Sequence, residues 1–168
     1  MKKVLTMLFL LFASAAFASD ANQPIVRWDT IIGVITAQGV DNPLSKNIHS
    51  APFAWSAQSG HASVNLTTGD TSFEVKGFVL NGTTFSGTPG PVTAVTSTLV
   101  CNAGSDTETA LDSKPARLNS RGDAQFSGQI ANIPSSCSNP LFLLRIANLK
   151  GLNGLWIATG AVRTTSME

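Results

Sequence analysis

The fold is decided by two apolar stretches near the end of the chain, LFLLRIA (Leu141–Ala147) and LWIATGAVR (Leu155–Arg163). Between them lies Lys-Gly-Leu-Asn-Gly (residues 150–154), whose glycines and asparagine are typical of a turn. Short apolar runs bounded by turn residues are typical of buried strands. The two stretches are therefore predicted to form the central strands of the core, joined by this turn.

The rest of the sequence repeats this pattern in a weaker form, as short segments in which apolar residues alternate with polar ones. Pro115 places one of these segments at a sheet edge, because proline cannot donate a ladder hydrogen bond. Asn81-Gly82 predicts a tight hairpin turn, since both residues tolerate positive φ. The predicted segments are Ile25–Gln38, with Trp28 and Ile32 on one face and Ile31 on the other, Thr71–Leu80, Val92–Cys101, Glu108–Leu118 and Asp123–Ile133.

Strand-length segments with glycine and proline punctuation, and without a helical period, predict an all-β fold. We expect a single β-sandwich, or a partly open barrel, of about seven to eight mostly antiparallel strands. No repeat or linker divides the chain after the N-terminal segment. Residues 19–168 are therefore predicted to form a single β-domain.

The N-terminal segment has the pattern of a cleaved signal peptide, residues 1–18. Lys2 and Lys3 precede an apolar run of about fifteen residues, shorter than the roughly twenty that a membrane span needs. The run ends in Ala16-Phe17-Ala18, whose small residues suit a signal peptidase that cleaves before Ser19. The mature chain is thus predicted to be secreted or periplasmic, from a bacterium, with no transmembrane span.

The sequence contains two cysteines, Cys101 and Cys137, and both lie in the mature part. An exported protein meets an oxidising compartment, so the two are predicted to form a disulfide. Metal ligation and redox chemistry are the alternatives. Neither cysteine belongs to a Cys-x-x-Cys motif or has a histidine close by in sequence, which favours the disulfide.

Charge disfavours an electrostatic partner. Of eleven Lys and Arg residues, two belong to the signal peptide, which leaves nine against ten Asp and Glu. The nine are spread singly along the chain, whereas nucleic acids and anionic membranes require a clustered basic face. No nucleic-acid partner is predicted.

Signatures of catalysis are missing from the sequence. It contains no Gly-x-Ser-x-Gly, Ser-x-x-Lys, His-Glu-x-x-His or phosphate-loop motif. A Ser-His-Asp arrangement would have to use His49 or His61, the two histidines of the chain. No catalytic residue, cofactor or metal site is predicted.

The segment 39–61 interrupts the alternation for about twenty residues, and long connections in compact domains are often functional. It contains His49, Phe53, Trp55 and His61, which we predict as ligand-binding residues, with Trp55 as a stacking platform. The histidines could also bind a metal together with Asp41. In the alternative, structural interpretation, the aromatic residues close one end of the fold or begin a strand, and the histidines lie on the surface.

Arg121-Gly122-Asp123 matches a cell-adhesion tripeptide at a predicted turn, although simple turn chemistry explains the same residues.

Three functions remain. The sequence favours an exported, non-catalytic binding or structural module that recognises a protein, a glycan or a surface component. The alternatives are a secreted hydrolase or metal-dependent enzyme with a site in the 39–61 loop, and a carrier of a small apolar ligand.

Overall fold

The protein is described by a computed structural model covering residues 24–167. The predicted signal peptide, residues 1–18, lies outside this range. Residues 24–167 contain eleven strands and no α-helix, and so no helix that could cross a membrane. The strands are β1 (Pro24–Gly33), β2 (Ala54–Ser56), β3 (Ser59–Asn65), β4 (Asp70–Lys76), β5 (Val79–Asn81), β6 (Ala94–Cys101), β7 (Thr109–Asp112), β8 (Ala116–Arg117), β9 (Ala124–Gln129), β10 (Leu141–Ile146) and β11 (Trp156–Met167).

Nine of these strands form one antiparallel sheet in the order β7-β6-β10-β11-β1-β3-β4-β9, with β8 also paired to β6. The sheet curls into a half-barrel, so that β8 and β9, at opposite ends of the strand order, come close to each other. The short strands β2 and β5 pair with each other in a separate small sheet. The predicted all-β class is confirmed, in its partly open barrel form.

The two stretches that decide the fold form the adjacent strands β10 and β11, as predicted. Phe142, Leu143 and Leu144 follow one another in β10 and are all fully buried, which means that both faces of this strand are covered. Such a strand needs a continuous apolar run rather than alternation. The core continues across the sheet through Trp28, whose ring packs against Phe142 with a centroid distance of 5.5 Å.

The predicted disulfide is also confirmed. Cys101, at the end of β6, is bonded to Cys137 in the connection between β9 and β10. The edge position of the proline-containing segment is confirmed as well, because β7 and β8 flank Pro115 and both pair with the outer side of β6.

The hairpin at Asn81-Gly82 is wrong. Strand β5 ends at Asn81 and pairs with β2, and the chain turns back through a longer loop, in which Leu80 N donates to Thr88 O and Gly87 N donates to Leu80 O. The predicted strand 71–80 is also divided, since Gly77 adopts a φ of 58° between β4 and β5. Strand β3 was not predicted.

The face assignment along β1 holds only as far as Trp28. Ile31 is buried and Ile32 is 45% exposed, the reverse of the predicted arrangement. The inward face changes around Asp29, and the opposite position on β11 is Val162, whose φ is 53°. A local backbone irregularity therefore reverses the strand faces, which alternation in sequence cannot reveal.

Candidate functional site

An apolar cleft of about 670 Å³ opens at the end of the half-barrel where the small β2-β5 sheet lies. Segments far apart in sequence form its walls: the connection from β1 to β2, the β2-β5 sheet, the connection from β5 to β6 and the connection from β10 to β11. The lining residues are Gln38, Ala51, Phe53, Trp55, Leu80, Gly82, Thr83, Thr84, Phe85, Pro91, Val92, Ile146, Leu149 and Leu152.

One wall of the cleft is the β2-β5 sheet, in which Trp55 lies directly opposite Leu80. Trp55 is only 3% exposed, and its ring packs on Phe78 with a centroid distance of 4.7 Å. The indole nitrogen of Trp55 is buried without a hydrogen-bond partner, which is uncommon for a donor in a protein interior. In this wall the Trp55 ring is thus a buried side chain that packs on Phe78.

The connection from β5 to β6 carries Phe85, which lines the cleft and is 52% exposed. The loop around it is held by its own backbone: Leu80 donates to Thr88, and Gly87 donates back to Leu80. Side-chain bonds from Ser86 and Thr88 to the carbonyl oxygens of Thr83 and Phe85 close the turn. The loop therefore presents an aromatic ring to the cleft without burying it.

Leu149 and Leu152 extend the apolar lining from the connection between β10 and β11. Leu152 donates to the carbonyl oxygen of Leu149 over 2.9 Å, which bends this segment into a turn. The Asn148 side chain accepts hydrogen bonds from the backbone nitrogens of Thr93 and Ala94. These bonds tie the connection to the start of β6, so that two walls of the cleft are joined.

The described lining of the cleft is uncharged. None of the described residues that line it is ionisable, and its polar side chains are those of Gln38, Thr83 and Thr84. Acid–base catalysis needs a titratable group within hydrogen-bonding reach of the substrate. The described lining does not provide one, but it does provide apolar area and a few hydrogen-bonding groups.

The structure brings Phe53 and Trp55 together in the cleft and places both predicted histidines outside its lining. His61, on β3, lies opposite Glu74 on β4 and lines a separate surface depression with Asp29 and Lys76. The ligand-binding roles predicted for His49, Phe53, Trp55 and His61 stay predictions. Within residues 24–167, no three histidine, cysteine or acidic side chains lie close enough together to hold a metal ion.

His49 pairs with Asp41 in the connection from β1 to β2. Its Nδ1 lies 2.6 Å from Asp41 Oδ2, and its Nε2 lies 3.1 Å from the carbonyl oxygen of Lys46. The hydrogen bond from His49 lowers the pKa of Asp41, with a smaller contribution from the backbone N–H of Ser50. In return, the hydrogen bond to Asp41, followed by that to the Lys46 carbonyl, raises the pKa of His49.

This pair does not have the geometry of a catalytic triad. Both ring nitrogens of His49 face oxygen acceptors, and neither faces a hydroxyl group. The nearby Ser50 hydroxyl contacts Asp41 and accepts a hydrogen bond from the backbone of Asn42. The contacts of His49 instead hold the loop 41–50 together.

The Arg121-Gly122-Asp123 turn is held by contacts within the chain. Asp123 accepts hydrogen bonds from the Asn119 amide at 3.1 Å, from Gly77 N at 3.2 Å and from Arg121 Nε at 3.3 Å. The Asn119 amide bond, followed by the Gly77 bond, lowers the pKa of Asp123. The Asp123 carboxylate thus fastens the turn to the end of β4, which agrees with simple turn chemistry.

Sequence reasoning missed Phe85, Leu149 and Leu152 as lining residues. The available signal was Phe85, a single aromatic residue in the Gly-, Thr- and Pro-rich stretch 82–91.

Comparisons with protein-family models, curated proteins and solved structures found no match.

Proposed function

We propose that this protein is an exported, non-catalytic binding domain whose ligand is a small, uncharged molecule with an apolar body. The observation that carries the proposal is the composition of the cleft, whose described lining is apolar and aromatic and contains no ionisable side chain. Burial of apolar ligand surface would supply the affinity. A charged ligand would lose its hydration without gaining an ion pair.

The size of the cleft supports a small-molecule ligand. Its volume of about 670 Å³ falls inside the range of about 300–1,000 Å³ that is usual for small-molecule sites. Phe53 and Phe85 offer ring surfaces for an aromatic or aliphatic body, while Trp55 is buried within the β2-β5 wall. Gln38, Thr83 and Thr84 could bind a hydroxyl, ether or carbonyl group at one end of the ligand.

Export rests on the predicted signal peptide, residues 1–18, and agrees with the Cys101–Cys137 disulfide. Disulfides persist in oxidising compartments. We place the mature domain in the periplasm or outside the cell. N-terminal sequencing of the exported protein should find Ser19 as its first residue, and a chain that keeps Met1 would contradict this placement.

Titration with Nile red, an uncharged apolar fluorophore, tests the binding site. We expect saturable binding to the mature domain at one site. Replacing Phe85 by Ala should weaken binding about fivefold, since the half-exposed ring would contribute about 1 kcal/mol of apolar burial against the ligand.

Ile35→Ala is the matched control. Ile35 is also exposed and apolar, at 82%, but it is not among the residues that line the cleft. Its replacement should leave Nile red binding unchanged. Absence of saturable binding, or equal weakening by the two substitutions, would overturn the proposed site.

A further inference from the structure

The loop 41–50 carries a histidine whose two ring nitrogens both face oxygen acceptors. Asp41 Oδ2 lies 2.6 Å from Nδ1, and the carbonyl oxygen of Lys46 lies 3.1 Å from Nε2. A neutral imidazole has one N–H donor, whereas an imidazolium has two. Only the protonated form of His49 can therefore make both hydrogen bonds at once.

The same Asp41 carboxylate also organises the end of this loop. Its Oδ1 accepts a hydrogen bond from Ser50 N over 2.9 Å, and the Ser50 hydroxyl accepts one from Asn42 N over 2.8 Å. His49, Asp41 and Ser50 thus close residues 41–50 into a ring of hydrogen bonds. Loss of a contact at His49 would loosen this ring.

The closed loop continues directly into a wall of the cleft. Ala51, the next residue after Ser50, is fully buried, lines the cleft and donates from its backbone to the carbonyl oxygen of Trp156. On the other side of the loop, Gly39 donates to Pro52, beside the lining residues Gln38 and Phe53. The loop 41–50 is therefore joined to this wall at both of its ends.

We propose that the protonation state of His49 regulates the cleft, so that the domain binds its uncharged ligand more tightly at mildly acidic pH and releases it as the pH rises. This inference rests on the proposed function. When His49 loses its proton, one of its two hydrogen bonds is lost and the wall formed by Ala51 and Phe53 is held less firmly. The ligand then meets a less preorganised site.

The other charged groups near His49 do not replace it as the pH-sensing group. They are Asp41, which is its partner, Lys46, and Glu108, which accepts a hydrogen bond from Ser45 over 2.7 Å and another from Gly104 N. Glutamate and lysine side chains do not usually titrate between about pH 5.5 and about pH 8.5, whereas histidine does. The raised pKa of His49 extends its protonated range upward.

The test measures the Nile red dissociation constant of the mature domain from about pH 5.5 to about pH 8.5. We expect binding to weaken about two- to fivefold with rising pH, because the protonated loop provides one more hydrogen bond. His49→Asn should abolish this pH dependence. Asp41→Asn should move its midpoint to lower pH, since the carboxylate that favours the imidazolium is removed.

His61→Asn is the matched control, because His61 lies on β3 outside the cleft lining and its replacement should leave the pH dependence intact. Persistence of the pH dependence in His49→Asn would refute the inference. Nile red affinity that does not change with pH in the unsubstituted protein would also refute it and would leave the binding function standing.

A second readout does not depend on ligand binding. Trp156 Nε1 donates to the carbonyl oxygen of Asn42, within the loop, over 3.2 Å. Its indole proton signal in an NMR titration should shift with the His49 ring signals, and His61→Asn should not alter this coupling. If Nile red fails to bind at any pH, the proposed function fails while this readout still tests the loop. Independent titration of the two signals would contradict the link between His49 and the rest of the loop.

Discussion

The backbone nitrogen of Phe78 donates to the carbonyl oxygen of Gly122 over 2.8 Å, and the two backbones lie so close that a Cβ atom at Gly122 would overlap the nitrogen and oxygen of Phe78. Gly122 also has a φ of 83°, which favours glycine. This contact joins the turn before β9 to the segment between β4 and β5. It explains why Gly122 is buried although it lies in a turn.

Gly122→Ala should lower the free energy of unfolding by about 3 kcal/mol or more, because the left-handed backbone penalty adds to a clash with backbone atoms that cannot move aside. Gly104→Ala is the matched control. Its φ is 76°, but no atom lies within 4 Å of the added methyl group, so it should cost only about 1 kcal/mol. Equal costs in urea unfolding would contradict the close contact.

The Cys101–Cys137 disulfide links residues 36 positions apart. Replacing both cysteines by alanine should lower the free energy of unfolding by about 3–4 kcal/mol, because the unfolded chain regains the freedom of the closed loop. In urea unfolding, a reducing agent should lower the free energy of unfolding of the unsubstituted protein by the same amount. It should not change the free energy of unfolding of the variant. Recovery of two alkylatable thiols from the native, oxidised protein would contradict the bond.

Local sequence patterns predicted the strands whose burial is continuous or regularly alternating. Strand β10 begins with the apolar run Leu141–Leu144, which suits a strand covered on both faces. Strand β3 was not predicted because only Ala62 and Val64 among its seven residues are buried and apolar. The tight hairpin predicted at Asn81-Gly82 is wrong because β5 pairs with β2, and the chain turns back through the longer loop that ends at Gly87 and Thr88.

The cleft was only partly predictable for a related reason. Phe53 and Trp55 stood out as aromatic residues in a stretch without alternation. Leu149 and Leu152 reach the same cleft from nearly one hundred positions later in the chain, and they do so because β11, which follows them, lies beside β1 in the sheet order. Strand order is a global property, and no local pattern in the sequence encodes it.

The His49–Asp41 pair makes stability depend on pH in two directions. Because the folded-state pKa of His49 is raised, its stabilising contribution is complete below the ordinary histidine pKa of about 6.5 and is lost as the pH rises through the raised value. Because the pKa of Asp41 is lowered, its contribution is present above the ordinary aspartate value and is lost as the pH falls through the lowered one.

Urea midpoints measured from about pH 5.5 to about pH 8.5 should therefore fall more steeply for the unsubstituted protein than for His49→Asn. His61 lies on β3 opposite Glu74, outside the loop 41–50, and His61→Asn should follow the unsubstituted protein over the same range. Parallel curves for the unsubstituted protein and His49→Asn would show that the pair does not stabilise the fold.

Val162 is a β-branched residue with a φ of 53° and a side chain that is 65% exposed. This backbone conformation is a genuine outlier for valine, whereas asparagine adopts it more readily. Val162→Asn should therefore raise the free energy of unfolding by up to about 1 kcal/mol, measured by urea unfolding. Ile32→Asn is the control: Ile32 is also exposed, at 45%, but lies on β1 without positive φ, so asparagine should destabilise the strand. Equal destabilisation by both substitutions would show that Val162 is not strained.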